Sequence, residues 1–510
     1  MHARSAVLLA TVLAALLTSI WLGTGGEAAL GGRSEPRPLI PGTYYAADSS
    51  GPAIAVDLPA VPEGSYELLL TSLGDSAETY PVHLSSECGA GSETSGLTEI
   101  VPLAWKSNPL NSPGVTQIAA SSSESTQRPA RDIENGPATS RHFFLHATDS
   151  DLENPRGYVR VATRLLGEGR SARVYGDVQL REVDLSPGLV SEIIRRLDDE
   201  VIPRSRELIG EHVDVDGDGK LAVLVTPWLD RLQGGKTSVK GFVRSSDFRS
   251  GGKPPYSNRA DLLYLNSTLR ADDDLGALLA HEYTHAVCCS RRRGQAGNSL
   301  PFRDEEDWLN EAIAHVAEQR HGAGWSNLDE RLASFLDAPE NCPLVVRDYY
   351  RAGRWRDPGC RGATFLFLNW LCSRHGDGLL GELVTDPRTG TQKLTALTGH
   401  SFAELLRHWA IALHQGEAGD VSLLGRVGRC ELTGLRRRFW NDLDQPHTFG
   451  LQGTAVVCVR LEATCARRVV ITPAAGACLQ VTVVRPGERF SAARLAGATP
   501  PRSVAGGSPR

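Results

Sequence analysis

The sequence predicts an α+β fold. Three patterns predict it. Short alternating apolar runs punctuated by Gly, Pro and Ser lie at both ends of the chain, strand-like runs precede helical ones in the middle, and residues 327–415 read as helix. The expected layout is an N-terminal β-rich region over 38–183, a central mixed unit over 184–415 and a small C-terminal β region over 416–490. With 510 residues, 41% of them hydrophobic, the chain can bury a sizeable core divided among several domains.

Residues 1–28 read as an export signal. His2 and Arg4 precede an apolar run over 6–22, and small residues surround Gly26 and Ala28. That run is close to the shortest that spans a bilayer, so an uncleaved anchor is the alternative. No later segment is long and apolar enough to cross a membrane, which makes the chain exported, secreted or held in the cell envelope, and otherwise soluble.

Strand signals follow at 53–56, 66–70 and 80–84, then a Ser/Pro/Asn-rich stretch over 107–140 that reads as a disordered insertion. Strands resume at 142–146, 158–165 and 171–179 and could join the first set in one sandwich. Ser186 and Pro187 look like a helix start, with Val190, Ile193, Ile194, Leu197 and Val201 as its buried face and Gly210 as its stop. Strands at 221–225, 241–243 and 262–265 come next. Ser401-Phe402-Ala403-Glu404 is a capping box opening the last helix, and residues 491–510 form a small, polar tail that reads as disordered.

The chemistry concentrates after the third central strand. In the helical stretch 271–290, Leu275, Leu278 and Leu279 repeat with helical spacing behind the acids Asp272–Asp274. It contains His281-Glu282-Tyr283-Thr284-His285. Imidazoles four residues apart lie one above the other and can share a metal ion, while Glu282, about 100° round the helix, can face a water on that ion. This is the donor set of a zinc hydrolase, with Glu282 as its base. The bland alternative is two ordinary histidines on an amphipathic helix.

A catalytic zinc normally takes three protein ligands. A third histidine at 291 would follow one known pattern, but Cys288 and Arg291 stand at the positions that pattern needs. The next helix offers a carboxylate instead. Leu309, Ile313 and Val316 make its apolar stripe, Trp308-Leu309-Asn310 precede Glu311, and Glu311 falls off that stripe. Its ordinary reading would be a solvated glutamate. Asn310 and His315 are candidates to orient a ligand from behind.

The segments 281–285 and 308–318 resemble the gluzincin metallopeptidases. Over residues 140–415 the chain is similar, within that clan, to the hyicolysin family of secreted neutral zinc peptidases. The resemblance implies a gluzincin-type catalytic unit: a mixed sheet, the metal helix and a helical C-terminal subdomain. It also implies Zn2+ held by His281, His285 and Glu311, with Glu282 as general base acting on a protein or peptide substrate. The expected oxyanion donor is a tyrosine or histidine. Tyr349, Tyr350 and His375 are the candidates, and Cys360-Arg361 stands where a tyrosine is expected ahead of the Gly362 helix.

Asp214, Asp216 and Asp218 match the first half of a calcium loop, but Val225 stands where its final glutamate belongs. The even count of 10 cysteines permits disulfides in an exported chain. Cys430, Cys458, Cys465 and Cys478 would staple the C-terminal region, and Cys342, Cys360 and Cys372 bracket the tyrosine pair. A net charge of −6 with scattered basic residues excludes a nucleic-acid binder. The run Arg291–Arg293 fits a helix C-terminus. The reading is an exported zinc endopeptidase. Its rivals are an exported binding or adhesive protein with a structural zinc, and a zinc hydrolase of a non-protein substrate.

Overall fold

The computed structural model describes residues 42–47, 52–61, 64–89, 97–105, 140–249, 251–296, 303–376 and 378–485. The signal segment, nearly all of the 107–140 insertion and the 491–510 tail lie outside them. Five strands come first: β1 (Tyr44–Ala47), β2 (Ile54–Leu58), β3 (Tyr66–Ser72), β4 (Thr79–Cys88) and β5 (Leu97–Glu99). The central strands are β6 (Ser140–His146), β7 (Tyr158–Glu168), β8 (Ala172–Asp177), β9 (Leu221–Thr226), β10 (Gly241–Val243) and β11 (Leu262–Asn266). They form one six-stranded mixed sheet in the order β10-β11-β9-β8-β7-β6.

Every residue of β9 and β11 is buried. Continuous apolar runs of this kind belong to strands covered on both faces, and β8, β9 and β11 accordingly pair in parallel at the sheet centre. Alternation then sorts the side chains. Leu221, Val223, Val225, Leu263 and Leu265 face the main helical core. Ala222, Leu224, Leu262 and Tyr264 meet Phe143, Leu145 and Leu229 on the other side. Antiparallel β10 closes one edge of the sheet.

Helices α1 (Leu189–Arg196) and α2 (Ile202–Leu208) run on through a wider turn at Leu197–Val201, next to Pro203, which has no backbone N–H to give to the helix. The residue before α1 is Gly188 in a left-handed conformation, and no side chain caps it, so Ser186 is not the cap that the sequence suggests. A single turn, α3 (Leu232–Gly235), precedes β10.

The metal-motif helix α4 (Asp273–Ala296) and α5 (Asp307–Arg320) come next, then α6 (Asp329–Asp337), α7 (Pro358–His375), α8 (Gly378–Thr385), α9 (Gly390–Thr398) and α10 (Phe402–His414). Ser401 and Glu404 form the expected capping box of α10. α4 is buried nearly all round, because it lies between β10/β11 and helices α5 and α8. Arg292 near its end is buried too. It pairs with Glu305 at 2.9 Å and donates to the carbonyls of Arg303, Asp386 and Arg388, so it ties two loops to the helix and does more than face a helix dipole.

The remaining strands are the short β12 (Glu417–Ala418), β13 (Val421–Ser422), β14 (Leu424–Val427) and β15 (Cys430–Thr433), then β16 (Arg437–Trp440), β17 (His447–Gln452), β18 (Val456–Leu461), β19 (Arg467–Pro473) and β20 (Leu479–Val484). Their pairing corrects the expected domain layout. β3 lies between β18 and β20, β1 pairs with β20, and β4 lies between β17 and β19. The two ends of the chain therefore build one sandwich of sheets β16-β18-β3-β20-β1-β5 and β17-β4-β19-β2 around Val56, Leu68, Leu70, Val82, Val459, Ile471 and Val481. Strands β6–β8 belong instead to the central sheet, so a boundary at 183/184 would cut that sheet between β8 and β9. Periodicity marks a strand but does not name its partner, and sequence-distant pairing is what closes this sandwich.

A buried polar link joins the sandwich to α10. The Tyr44 hydroxyl lies 2.9 Å from His414 Nδ1, Nε2 of the same ring pairs with Glu67, and Arg437 Nε donates to Glu67 at 2.9 Å. Among the described residues no helix is long and apolar enough to cross a membrane.

A chain ending at residue 415 lacks both neighbours of β3. It is expected to lose its cooperative melt and aggregate, as read by circular dichroism and light scattering. A soluble truncated chain that keeps a native β signal would contradict the interleaved sandwich.

Candidate metal centre

α4 and α5 pack side by side, and their facing turns bring the predicted residues together. His281 Nε2 and His285 Nε2 lie 3.2 Å apart. The Glu311 carboxylate reaches both, with Oε2 3.5 Å from His281 Nε2 and Oε1 3.7 Å from His285 Nε2. All three side chains are buried, as is Glu282. Glu311 is therefore no solvated glutamate.

Behind these three side chains stands a carboxylate that the sequence reading passed over. Glu318 Oε2 lies 3.3 Å from His281 Nδ1, 3.2 Å from His315 Nδ1 and 2.9 Å from the Asn327 amide nitrogen. His315 takes a hydrogen bond at Nε2 from Arg361 Nε, 3.0 Å away. A guanidinium only donates, so Nε2 of His315 must accept and its Nδ1–H must point to Glu318. Both nitrogens of His315 are thus committed, although its ring lies only 4.5 Å from that of His281. Glu318 likewise draws the proton of His281 to Nδ1 and leaves Nε2 aimed at His285 and Glu311. The signal was present in the spacing: residues 311, 315 and 318 share one face of α5. Asn310 lines the cleft beside His285.

Two more groups clasp Glu311. The Tyr350 hydroxyl donates to Oε1 at 2.8 Å, and Arg361 Nη2 donates to Oε2 at 2.9 Å. Of the three oxyanion candidates, Tyr350 faces this site. Tyr349 is packed in the core, and His375 ends α7 away from the cleft lining. Arg361 occupies the neighbourhood in which a tyrosine was expected.

The electrostatics follow from burial. Burial opposes a charge on His281, but hydrogen bonds to Glu311 and Glu318 outweigh it and raise its pKa to about 9. Burial lowers His285 to about 4, with Glu311 pulling the other way. Burial pushes Glu282 up to about 7, helped by Glu311 and opposed by His281. Burial would raise Glu311, but Arg361 and His281 hold it well below the usual carboxylate range. At 3.2 Å the two Nε2 atoms require a proton or a metal cation between them, since two bare lone pairs would repel. Ligands about 2.0–2.1 Å from a tetrahedral metal would themselves stand about 3.3 Å apart, so this donor set fits such an ion. His281, Glu311 and His315 also cluster closely enough to hold one, but the commitments of His315 leave His285 as the better third donor.

The site lines a cleft of about 820 Å³ between β10 and the loop that carries Tyr350 and Trp355. Gly241 of β10 lies so close that a Cβ there would meet Glu282 Cγ at 3.2 Å. The polypeptide is 25% identical over 351 residues to the neutral metalloprotease ShpI of Staphylococcus hyicus, a match covering 64% of this chain and 74% of that one. The chain is a distant homologue of that metalloprotease. No protein-family model matches it. The resemblance to the hyicolysin family therefore rests on homology as well as on two motifs, and the buried His/Glu cluster accords with a metal-binding homologue.

The carboxylates of Asp214, Asp216 and Asp218 come within 4.8 Å of one another. They already have partners. Asp214 accepts from the Gly217 and Gly219 amides, while Asp216 and Asp218 pair with Arg141 and Arg173 at 2.7 Å. Calcium would have to compete with two guanidinium groups.

Glu318→Gln keeps the shape but loses the charge that orients His281. Metal affinity is expected to fall roughly 10–100-fold, measured by chelator competition. Unchanged affinity would remove Glu318 from the centre.

Proposed function

We propose that this protein is an exported zinc endopeptidase whose gluzincin-type catalytic unit spans residues 140–415, so that it includes β6–β8. The observation that carries the reading is the convergence of His281 Nε2, His285 Nε2 and the Glu311 carboxylate, with Glu282 beside them on the floor of an open cleft. His281, His285 and Glu311 would hold the zinc, which when bound supplies Lewis-acid polarisation of water and of the scissile carbonyl.

The rest is work for the chain's own side chains. Glu282 takes the proton of the attacking water on its carboxylate and passes it to the leaving amine. Tyr350 and Arg361 stand on the wall of the cleft with donors at Glu311, where they can also meet a developing oxyanion. β10 is the edge of the mixed sheet, and residues 239–245 line the cleft beside it. An extended peptide can add to that edge by backbone hydrogen bonds, which places its scissile bond over Glu282. The ShpI homologue, named as a metalloprotease, supports a peptide substrate.

Glu282→Gln is expected to bind zinc with wild-type stoichiometry and to lose cleavage of an unfolded protein by a factor of at least ~10³. Wild-type protein with tight zinc but no cleavage of any peptide in a library would overturn the reading in favour of a binding protein. Gly241→Ala adds a methyl against Glu282 and the Leu265 side chain. It should lower kcat by about tenfold or more without changing the melting curve, because small displacements of a catalytic group are costly.

A further inference from the structure

The loop that brings Tyr350 to Glu311 begins and ends at a cysteine. Cys342 follows a tight turn at Pro339–Asn341, and Cys360 lies in the first turn of α7, one residue before Arg361. Both are buried. Their sulfurs and the Asp357 carboxylate lie within 4.8 Å of one another. A Cβ at position 359 would come within 2.5 Å of the Cys342 sulfur, so a glycine there leaves that sulfur room beside α7. Between the two cysteines the chain makes turns and a single short helical turn at Arg354–Arg356, with no strand to hold it. A second thiol pair, Cys88 and Cys465, stands 3.5 Å apart in the sandwich. Neither pair lies wholly within the C-terminal group expected to pair internally, because Cys88 comes from the N-terminal strand β4.

We propose that Cys342 and Cys360 are joined in a disulfide that locks the loop bearing Tyr350 onto the helix bearing Arg361, the two side chains that clasp Glu311. The oxidant is the disulfide of a thiol oxidase or oxidised dithiol in the compartment of export. One cysteine thiolate attacks it, forming a mixed disulfide and expelling one oxidant thiolate. The second thiolate attacks the protein sulfur of that mixed disulfide, forms the Sγ–Sγ bond and expels the other oxidant thiolate. Each cysteine gives up one proton, and the two electrons leave with the reduced oxidant. Because both thiols are buried in the folded chain, the exchange belongs to folding and the bond is structural, closed before the core packs. The same three donors could instead hold a metal, and the two thiols could simply fill the core. The test separates these outcomes.

Protein secreted through an oxidising compartment is denatured in acid, alkylated without reductant, digested with trypsin and mapped by mass spectrometry. Arg347, Arg351, Arg354 and Arg356 place the two cysteines on different peptides, so a linked pair is read directly. The expected result is one species linking the Cys342 and Cys360 peptides, released by reductant. Alkylation of both residues overturns the proposal, whatever the state of Cys88 and Cys465, and so does linkage of either to a different cysteine. Stoichiometric metal retained by a variant lacking His281 and His285 and released by thiol alkylation would also overturn it. The bond itself does not depend on the proposed activity. Its locking role is read in the Cys342→Ala/Cys360→Ala variant by limited proteolysis, with nicking within residues 343–357 expected at least several times faster than in wild type. An unchanged nicking rate overturns that role, and a variant that fails to fold leaves the wild-type peptide map to decide the bond.

Discussion

Three buried carboxylates, Glu282, Glu311 and Glu318, share the seam between α4 and α5, and charge of that kind cannot stay in a protein interior without positive or hydrogen-bonding partners. The surroundings answer that demand at both oxygens of Glu311 and at Oε2 of Glu318, whose Oε1 is buried without a hydrogen-bond partner among the described residues. Arg361 and Tyr350 take the two oxygens of Glu311, while Asn327 and two imidazoles gather on Glu318. What remains is a pair of ring nitrogens 3.2 Å apart beside an anion. A cation completes that arrangement, and a proton on His281 partly replaces it. The same constraint explains why His315 stays neutral. Its burial, with Arg361 and His281 alongside, holds its pKa well below the ordinary value, and it acts as a spacer between Arg361 and Glu318.

The rest of the fold keeps that seam in register. Strand β11, held in parallel by β9, gives α4 an apolar floor, and β10 extends the floor to the rim of the cleft, where Gly241 allows strand and helix to touch. On the opposite side, the sandwich assembled from both ends of the chain presses on α10 through Glu67, His414 and Tyr44. That polar contact is buried, so losing one member would cost its neighbours a buried hydrogen bond. The sandwich also touches the wall of the cleft. Arg347 in the tyrosine loop pairs with Asp75 at 2.6 Å, and Arg354 donates to the Ala77 carbonyl.

Much of this was legible in the residues. Short apolar runs, alternating or continuous, located β2, β3, β4 and the six strands of the central sheet to within a few positions, and the capping box of α10 formed as written. Helical spacing alone put His281 above His285. Glu311 took a weaker inference, from an apolar stripe with one acid outside it. Other features were less visible. Glu318 lies on the same face of α5 as Glu311 but looks like any helix glutamate until His281 is placed behind it. Tyr350 was one of three equal candidates, and Arg361 looked like a departure until its guanidinium was seen on Glu311. Ser186 was read as a cap by its type, but the chain enters α1 through Gly188 instead. Asp214, Asp216 and Asp218 carry the spacing of a cation loop, and only the structure shows Arg141 and Arg173 on two of them.

By itself the sequence determined the local matters: which segments are strand or helix, and which donors a single helix can present together, because both follow from periods of two and 3.6 residues along one stretch of chain. Only the tertiary structure decided the partners. It chose β18 and β20 as the neighbours of β3, joined β8 to β9 in the central sheet, and set Tyr350 and Arg361 against Glu311. These meetings join residues tens to hundreds of positions apart. They are settled by how faces of similar hydrophobicity pack and how buried charges find partners, and no local spacing encodes that choice.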